Sequence, residues 1–539
     1  MRIASVCLWV LSLALLAGCG QREAPVDRAA KEGILLIDSG AEPATLDPQL
    51  ASGQPEHKVI VALFEGLLVP HPEREGEVLP GVAEEWEHND DASVWTFRLR
   101  ENARWSDGSA LTAHDFVRSY QRMLSPELAA DFVTLLYRLK NAEDYHQGRL
   151  SNFGKVGVKA LDEHTLQLTL VGPTPYFPTL LTHYAWYPVP IGTIEAHGGL
   201  FDRSGAWTRP GNIVGNGPFV LTRWEPNSRL QARPNRFYWN RENVALKGID
   251  FFPIENDETS ARMFDAGELH LTHSLPTSDY ERRKMRGDPT LVEGQQLGTY
   301  YYALNTDRKP LDDARVRRAL ALALDRSVIV QHITRSGERP AHRFVPDGFN
   351  QYAYEGPARY KPAEARRLLA EAGFPNGAGF PELTLTYNTL EGHRRIAEAV
   401  ANLWRENLGI GVRLENIEWR TYLERRAQGE FQIGRMGWVA DYYDPLTFLE
   451  IMISESGNND SNWSNAEYDR LVAQAMREPD MAARGRQMAA AEAILMEEMP
   501  VVPVYFYARR WLQDERVQGW HFNLLDQHPY QFVSLEGGN

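Results

Sequence analysis

A chain of 539 residues is longer than one hydrophobic core usually supports, so two or more domains are expected. With 43% hydrophobic and 24% charged residues, a largely disordered chain is excluded. The formal charge of −15, from 72 acidic residues against 57 Lys and Arg, and the lack of a long basic block argue against nucleic acid or anionic lipid as a global partner.

At the amino terminus, Arg2 precedes an apolar stretch over 3–17, and Leu16-Ala17-Gly18-Cys19 closes it with small residues before a cysteine. Such a run is short for a membrane span and fits an export signal. Its ending resembles a bacterial lipoprotein signal, in which residues 1–18 are removed and Cys19 is acylated. Residues 19–31 then read as a tether between lipid and domain. The only cysteines are Cys7 and Cys19, so the mature fold would hold no disulfide and must be stabilised by packing.

The first predicted strand covers 34–37. A loop with Gly40, Glu42, Pro43, Asp47 and Pro48 follows, in which Glu42 by itself reads as a solvated acid. A helix is expected over 59–68. In 94–100, Trp95, Phe97 and Leu99 share one face of a strand. Thr112 starts a helix with Asp115 three residues later, an imperfect capping box, and Pro126 ends it. A hairpin is expected within 156–170, and five prolines between 173 and 190 mark a domain crossing near residue 183. Gly215-Asn216-Gly217-Pro218 is a turn and not a phosphate loop, since it lacks the Gly-Lys-Ser/Thr ending. Strands over 219–224 and 228–232 and a short helix over 258–266 come next.

Residues 297–305, with Tyr300-Tyr301-Tyr302, read as a buried strand able to cross between domains. Beyond Asp313, Val316, Ala319, Leu320, Ala323 and Leu324 form a helical stripe, with Arg315, Arg317 and Arg318 on a solvated face. A helix begins at Pro362 and stops at Gly373. The order strand 383–387, helix 393–408, strand 412–417, helix 420–428 and strand 431–435 argues for a parallel α/β domain with a ligand crevice beyond the strand ends. Ser464 and Glu467 suggest a capping box, Asp480 precedes a helix reaching toward 498, and 501–507 is a strand with Pro503 at an edge or crossing.

The stretch 434–445, Gly-Arg-Met-Gly-Trp-Val-Ala-Asp-Tyr-Tyr-Asp-Pro, carries the chemistry. Gly437 permits a tight bend after the strand, and Arg435, Trp438 and Asp441 bring a cation, an apolar face and an acid together. Arginine offers a planar fork to a carboxylate and aspartate accepts from an ammonium group, so a zwitterion would fit. An internal Arg-Asp ion pair with Trp438 as core fits those residues equally well. There is no His-Glu-x-x-His, Cys-x-x-Cys pair, EF-hand series, Walker pattern or Gly-x-Ser-x-Gly elbow, and no cofactor is indicated.

Together with Cys19, these residues make the chain resemble the oligopeptide-binding lipoproteins of bacterial peptide ABC importers, solute-binding protein family 5. The likeness runs through Leu46-Asp47-Pro48, Phe64-Glu65-Gly66-Leu67-Leu68, Pro80-Gly81-Val82-Ala83-Glu84, Trp105-Ser106-Asp107-Gly108, Val214-Gly215-Asn216-Gly217, Asp313-Ala314-Arg315-Val316-Arg317 and Gly437-Trp438-Val439-Ala440-Asp441-Tyr442. The resemblance implies an α/β periplasmic binding protein-like type II clamshell of three domains in two lobes with a two-segment hinge. Domain one would take 26–57, 183–293 and 501–539, domain two 58–182 and domain three 294–500. By the same resemblance Asp441 meets a peptide's terminal ammonium, while Arg435 and His393 meet the terminal carboxylate. Trp419 and Trp438 wall side-chain pockets, and Glu42 is a cleft acid from the opposing lobe. Gly298 and Val439 stand where the family has a cysteine pair. The implied protein is a non-enzymatic monomer in the periplasm. It would bind short peptides with free termini, anchored to a membrane through Cys19, and deliver them to an ABC permease. A specialised cell-wall peptide binder and an exported peptide hydrolase are the alternatives.

Overall fold

The computed structural model describes residues 23–350 and 352–537, with the backbone alone for Trp419 and Arg420. The apolar stretch 3–17, Cys7 and the acylation candidate Cys19 lie outside the described residues. No helix among the described residues is long and apolar enough to cross a membrane.

Three main sheets organise the chain. In the first, Ile34–Asp38, Gly248–Phe252, Arg229–Pro234 and Phe219–Glu225 lie in that order, the first pair parallel and the others antiparallel. Alternation places Leu35, Ile37, Leu230, Ala232, Ile249 and Phe251 in one core with helix Gln54–Leu63. That helix lies earlier than the expected 59–68, because Pro55 suits a first turn and Phe64 already has extended backbone. The second sheet is antiparallel, in the order Ala83–His88, Val94–Leu99, Thr165–Thr169, Val158–Ala160. Trp95, Phe97 and Leu99 are buried on its inner face, as their spacing predicts. Helix Ala113–Leu124 starts where expected, with the Asp115 carboxylate accepting from the Thr112 N–H at 2.7 Å and from its hydroxyl at 3.0 Å.

Several short sequence motifs staple these two bodies together. Near the end of helix Ala113–Leu124, the fully buried Arg122 donates to Asp47 and to Gln49, each at 2.7 Å, and to the Leu200 carbonyl at 2.7 Å. Glu65 accepts from Trp239 Nε1 at 2.6 Å and from the Tyr238 hydroxyl, and Asn216 donates to the Glu65 carbonyl at 2.8 Å. Ser106 donates its N–H to the Gly215 carbonyl at 2.8 Å.

The third sheet has six strands, ordered Arg339–Pro340, Val501–Leu512, Leu291–Leu304, Ile433–Val439, Leu383–Asn388, Val412–Ile417. It is mixed, not all parallel as expected. Leu383–Asn388 runs parallel to both of its neighbours, whereas Leu291–Leu304 and Val501–Leu512 are antiparallel insertions. Strand, helix, strand order constrains only the strands it connects, and these two come from outside that unit. Both exceed their expected lengths and pair from Leu291 opposite Leu512 to Ala303 opposite Val501, with the register slipping between Gln295 and Thr299. Pro503 is laddered on one side only, to Tyr301, because the two-residue strand Arg339–Pro340 reaches just Phe506 and Tyr505 on the other, so the proline holds a local edge position. Its missing N–H falls where the register slips again between Tyr300 and Tyr301, and its carbonyl accepts from Arg326 Nε at 2.7 Å.

Two further expectations shift. The cap of helix Ala466–Ala475 is Asn465 and not Ser464, because its side-chain oxygen accepts from the N–H groups of Glu467 and Tyr468, both at 3.0 Å. Arg317 is buried, not solvated, and donates to the carbonyls of Leu311 and Glu498 at 2.8 Å. Arg315 remains exposed.

Replacing Arg122 by Met would strand the buried Asp47 charge without its counter-ion. The expected result is a loss of roughly 3–5 kcal/mol of unfolding free energy, read as a lower urea midpoint at unchanged slope.

Candidate functional site

The site grows from strand Ile433–Val439. The bend expected at Gly437 is absent, because the ladder continues, pairing Gly437 with Tyr300, Trp438 with Thr299 and Val439 with Gly298. Gly437 serves a different purpose: the Tyr507 side chain occupies the space a Cβ would need. Gly298 and Val439 are direct partners across the ladder, so the contact is made there without a covalent link. Beyond the strand, the chain turns toward the short helix Leu446–Leu449. There the buried Thr447 hydroxyl accepts from the Asp441 N–H at 3.1 Å and lies 3.5 Å from Trp438 Nε1, so one hydroxyl positions both residues.

Asp441 and Arg435 do not pair with each other. The Asp441 carboxylate has neither hydrogen-bond donor nor counter-ion among the described residues. Lost hydration, then the nearby Glu450 charge, push its pKa up to about 7. Arg435 lies with its guanidinium 4.6 Å above the Tyr300 ring and donates to the Tyr507 hydroxyl at 3.1 Å. Its Nε is buried with no hydrogen-bond partner, and no carboxylate approaches it among the described residues. The internal ion pair that the residues allowed is therefore not formed. The strand and the turn after it hold a half-buried cation and a half-buried anion six positions apart, each uncompensated.

His393 stands in the first turn of helix Glu391–Leu408, buried, with Nδ1 3.4 Å from the Tyr300 hydroxyl. Burial, then the Arg435 charge, lower its pKa to about 3, so it enters the site as a neutral ring. Arg435, His393, Trp438 and Asp441 thus gather around one strand. Glu42 is not joined to them by any contact among the described residues. Its carboxylate accepts from Trp224 Nε1 at 2.6 Å and from the Asn227 N–H at 3.0 Å, within the first sheet's body. Trp419 opens helix Trp419–Ala427, and its side chain lies outside the described residues.

Sequence reasoning missed Tyr300, Tyr507 and Thr447. The tyrosines did leave a signal, since Tyr300 and Tyr302 alternate on one long strand and Tyr505 and Tyr507 on the other. Thr447 left none. Across the gap, Tyr176 from the second sheet's body stacks on Tyr442 with centroids 5.9 Å apart. Among the described residues no group of three or more His, Cys, Asp or Glu could hold a metal.

The model of the bacterial extracellular solute-binding proteins, family 5 (Middle), matches residues 77–460. The periplasmic murein peptide-binding protein MppA of Escherichia coli is 39% identical, over 91% of this chain and 90% of that protein. The periplasmic oligopeptide-binding protein OppA of Salmonella typhimurium is 38% identical, over 96% of this chain and 95% of that protein. The solved structure of the E. coli murein tripeptide binding protein MppA superposes with a TM-score of 0.83 at 37% identity, covering 93% of this chain and 98% of that one. Its unliganded open form gives 0.75, covering 94% and 98%, so the lobes here are arranged less like the open form than like the other MppA structure. The architecture is thus the multi-domain clamshell of periplasmic binding proteins. On sequence and fold together, the chain belongs to family 5 of the bacterial extracellular solute-binding proteins, which bind solutes and do not transform them.

Proposed function

We propose that this protein captures short peptides with free termini between its lobes in the periplasm and hands them to the permease of an ABC importer. One observation carries the reading: the site presents an anion and a cation that no oppositely charged side chain among the described residues neutralises. A buried charge without a partner is costly, so the site is completed by a ligand bringing both signs. Asp441 receives the terminal ammonium. Arg435 receives the terminal carboxylate, with the neutral His393 as a further hydrogen-bond donor. Trp438 walls the space between, and the family resemblance would make Trp419 a further pocket wall and Glu42 a cleft acid from the opposing lobe. The peptide backbone adds to the exposed backbone of the cleft in the manner of an extra strand, which gives affinity with little demand on sequence.

Among peptides, a cell-wall fragment is favoured over a general nutrient peptide, because the murein peptide-binding protein matches strongly in both sequence and structure. We propose the domain bounds 26–57, 183–293 and 501–539, 58–182, and 294–500; the first two sheets each fall within one of these domains, whereas the third also takes in Val501–Leu512, and helix Gln54–Leu63 straddles the cut at 57. Acylation of Cys19 would anchor the monomer to a membrane.

Mass spectrometry of ligands released from protein purified from its host would test the ligand class. Intact peptides containing D-residues are expected. A mixture of ordinary peptides would return the general reading, and hydrolysed products the enzymatic one.

Asp441→Asn should weaken a peptide with free termini roughly 100-fold or more by calorimetry, and Arg435→Met should do the same. The Asp441→Asn variant should no longer distinguish the free from the amino-acetylated peptide, nor the Arg435→Met variant the free from the carboxy-amidated one. Equal wild-type affinity for free and blocked peptides would overturn the assignment.

Ligand binding requires Asp441 as carboxylate, so protons and peptide compete. As pH falls through about 7, wild-type affinity should drop by about tenfold per unit relative to Asp441→Asn, the limiting slope for one proton. Affinity should also fall above about pH 8, where the peptide's α-amino group loses its proton. Titrations from pH 5 to 9 would check both limbs.

A further inference from the structure

We infer that Arg138 and Glu450 form a latch between the lobes, which slows ligand release. The inference rests on the proposed reading of Asp441.

The two residues come from opposite sides of the cleft and are firmly mounted. Arg138 ends the short helix Val133–Arg138, and its carbonyl accepts from the Val171 N–H at 2.9 Å, which ties it to the second sheet's body. Glu450 follows helix Leu446–Leu449, in the same turn region that positions Asp441. One Glu450 oxygen accepts from the Tyr442 hydroxyl of its own body at 2.9 Å, and the other pairs with Arg138 from across the gap. Beside this pair the Tyr176 ring stacks on Tyr442 at an interplanar angle of 11°, and Arg484 lies 4.3 Å from the Tyr176 centroid. Arg484 is itself held by Asp444, with Nη1 and Nη2 at 2.5 and 2.7 Å.

The seam has the marks of a separable contact. Arg138 and Glu450 keep 14% and 20% of their side-chain exposure. A pocket of about 60 Å³ that opens to solvent beside Val171, lined by Arg138, Gly172, Tyr176, Met476 and Arg477, lies next to them. A permanent core would be packed more tightly.

The pair also reaches the binding chemistry. Glu450 lies close enough to Asp441 to disfavour its charge. When the lobes part, Arg138 leaves and Glu450 keeps only the Tyr442 hydroxyl. On closing, the arginine neutralises Glu450 at the moment the ammonium neutralises Asp441. Four charges are then satisfied in two pairs, and neither pair is complete in the open form.

Stopped-flow tryptophan fluorescence tests this, using whichever of trialanine and a cell-wall tripeptide the wild type binds. Arg138→Met should raise the dissociation rate about tenfold or more and leave the association rate within about twofold, since a contact made only after closure acts on release. Adding Glu450→Gln removes the stranded charge while keeping an acceptor for Tyr442. The Arg138→Met, Glu450→Gln double variant should recover at least half of the loss on a logarithmic scale, and it carries no unpaired charge that would endanger folding. An unchanged dissociation rate in Arg138→Met, or a double variant no better than the single one, overturns the latch. Asp441→Asn measured alongside separates the two ideas: lost binding there with normal release in Arg138→Met sinks the latch alone, and undiminished binding in Asp441→Asn sinks the cleft reading beneath it.

Discussion

The structure depends on keeping two opposite charges apart. Arg435 and Asp441 lie six residues from each other and would gain by pairing, yet the backbone between them is held in a ladder that prevents it. Tyr300 and Tyr507 occupy the arginine's face and donor side, and Thr447 fixes the aspartate's backbone from the opposite end. Each group is left partly dehydrated and without a counter-ion among the described residues, a state whose cost the surrounding packing must carry. Much of the six-stranded sheet serves that end, from the crowding at Gly437 to the tyrosines on the two long strands.

The family-like motifs divide into two physical classes. Asp47, Glu65, Ser106 and Asn216 bind one segment to another through buried hydrogen bonds, away from Asp441. Asp313 caps a helix, accepting from the Arg315 N–H at 2.8 Å, and Arg317 ties that helix to a carbonyl of Glu498. The run from Gly437 to Tyr442 carries Trp438 and Asp441 of the candidate site. Rigidity of the bodies and chemistry of the site are therefore written in separate stretches of chain.

Elements with a strong local pattern were legible: the Trp95, Phe97, Leu99 face, the Thr112 start, the Asp480 cap of helix Met481–Glu498, and strand 412–417. The candidate site was legible in its charged members, because a cation, an aromatic and an acid crowd one short stretch. What escaped was set by long-range register. Whether Gly437 bends or continues depends on Tyr507, 70 positions later, and Pro503 sits where two long strands slip past each other. The partition of Arg315 and Arg317 between solvent and core likewise depends on where the carbonyls of residues 311 and 498 end up.

The two long strands, on which we propose the lobes are joined, are hydrogen-bonded side by side over most of their length, broken only where the register slips. A pair of independent linkers would let one half of the clamshell twist, slide or tilt against the other. A ribbon resists shear, because sliding one strand along its partner severs the ladder on both sides of the slip, whereas flexing at the slip severs nothing. In the proposed hinge, movement would thereby be funnelled into a single rotation, and residues far from that axis, such as Arg138 and Glu450, would meet the same neighbour on every cycle without a search.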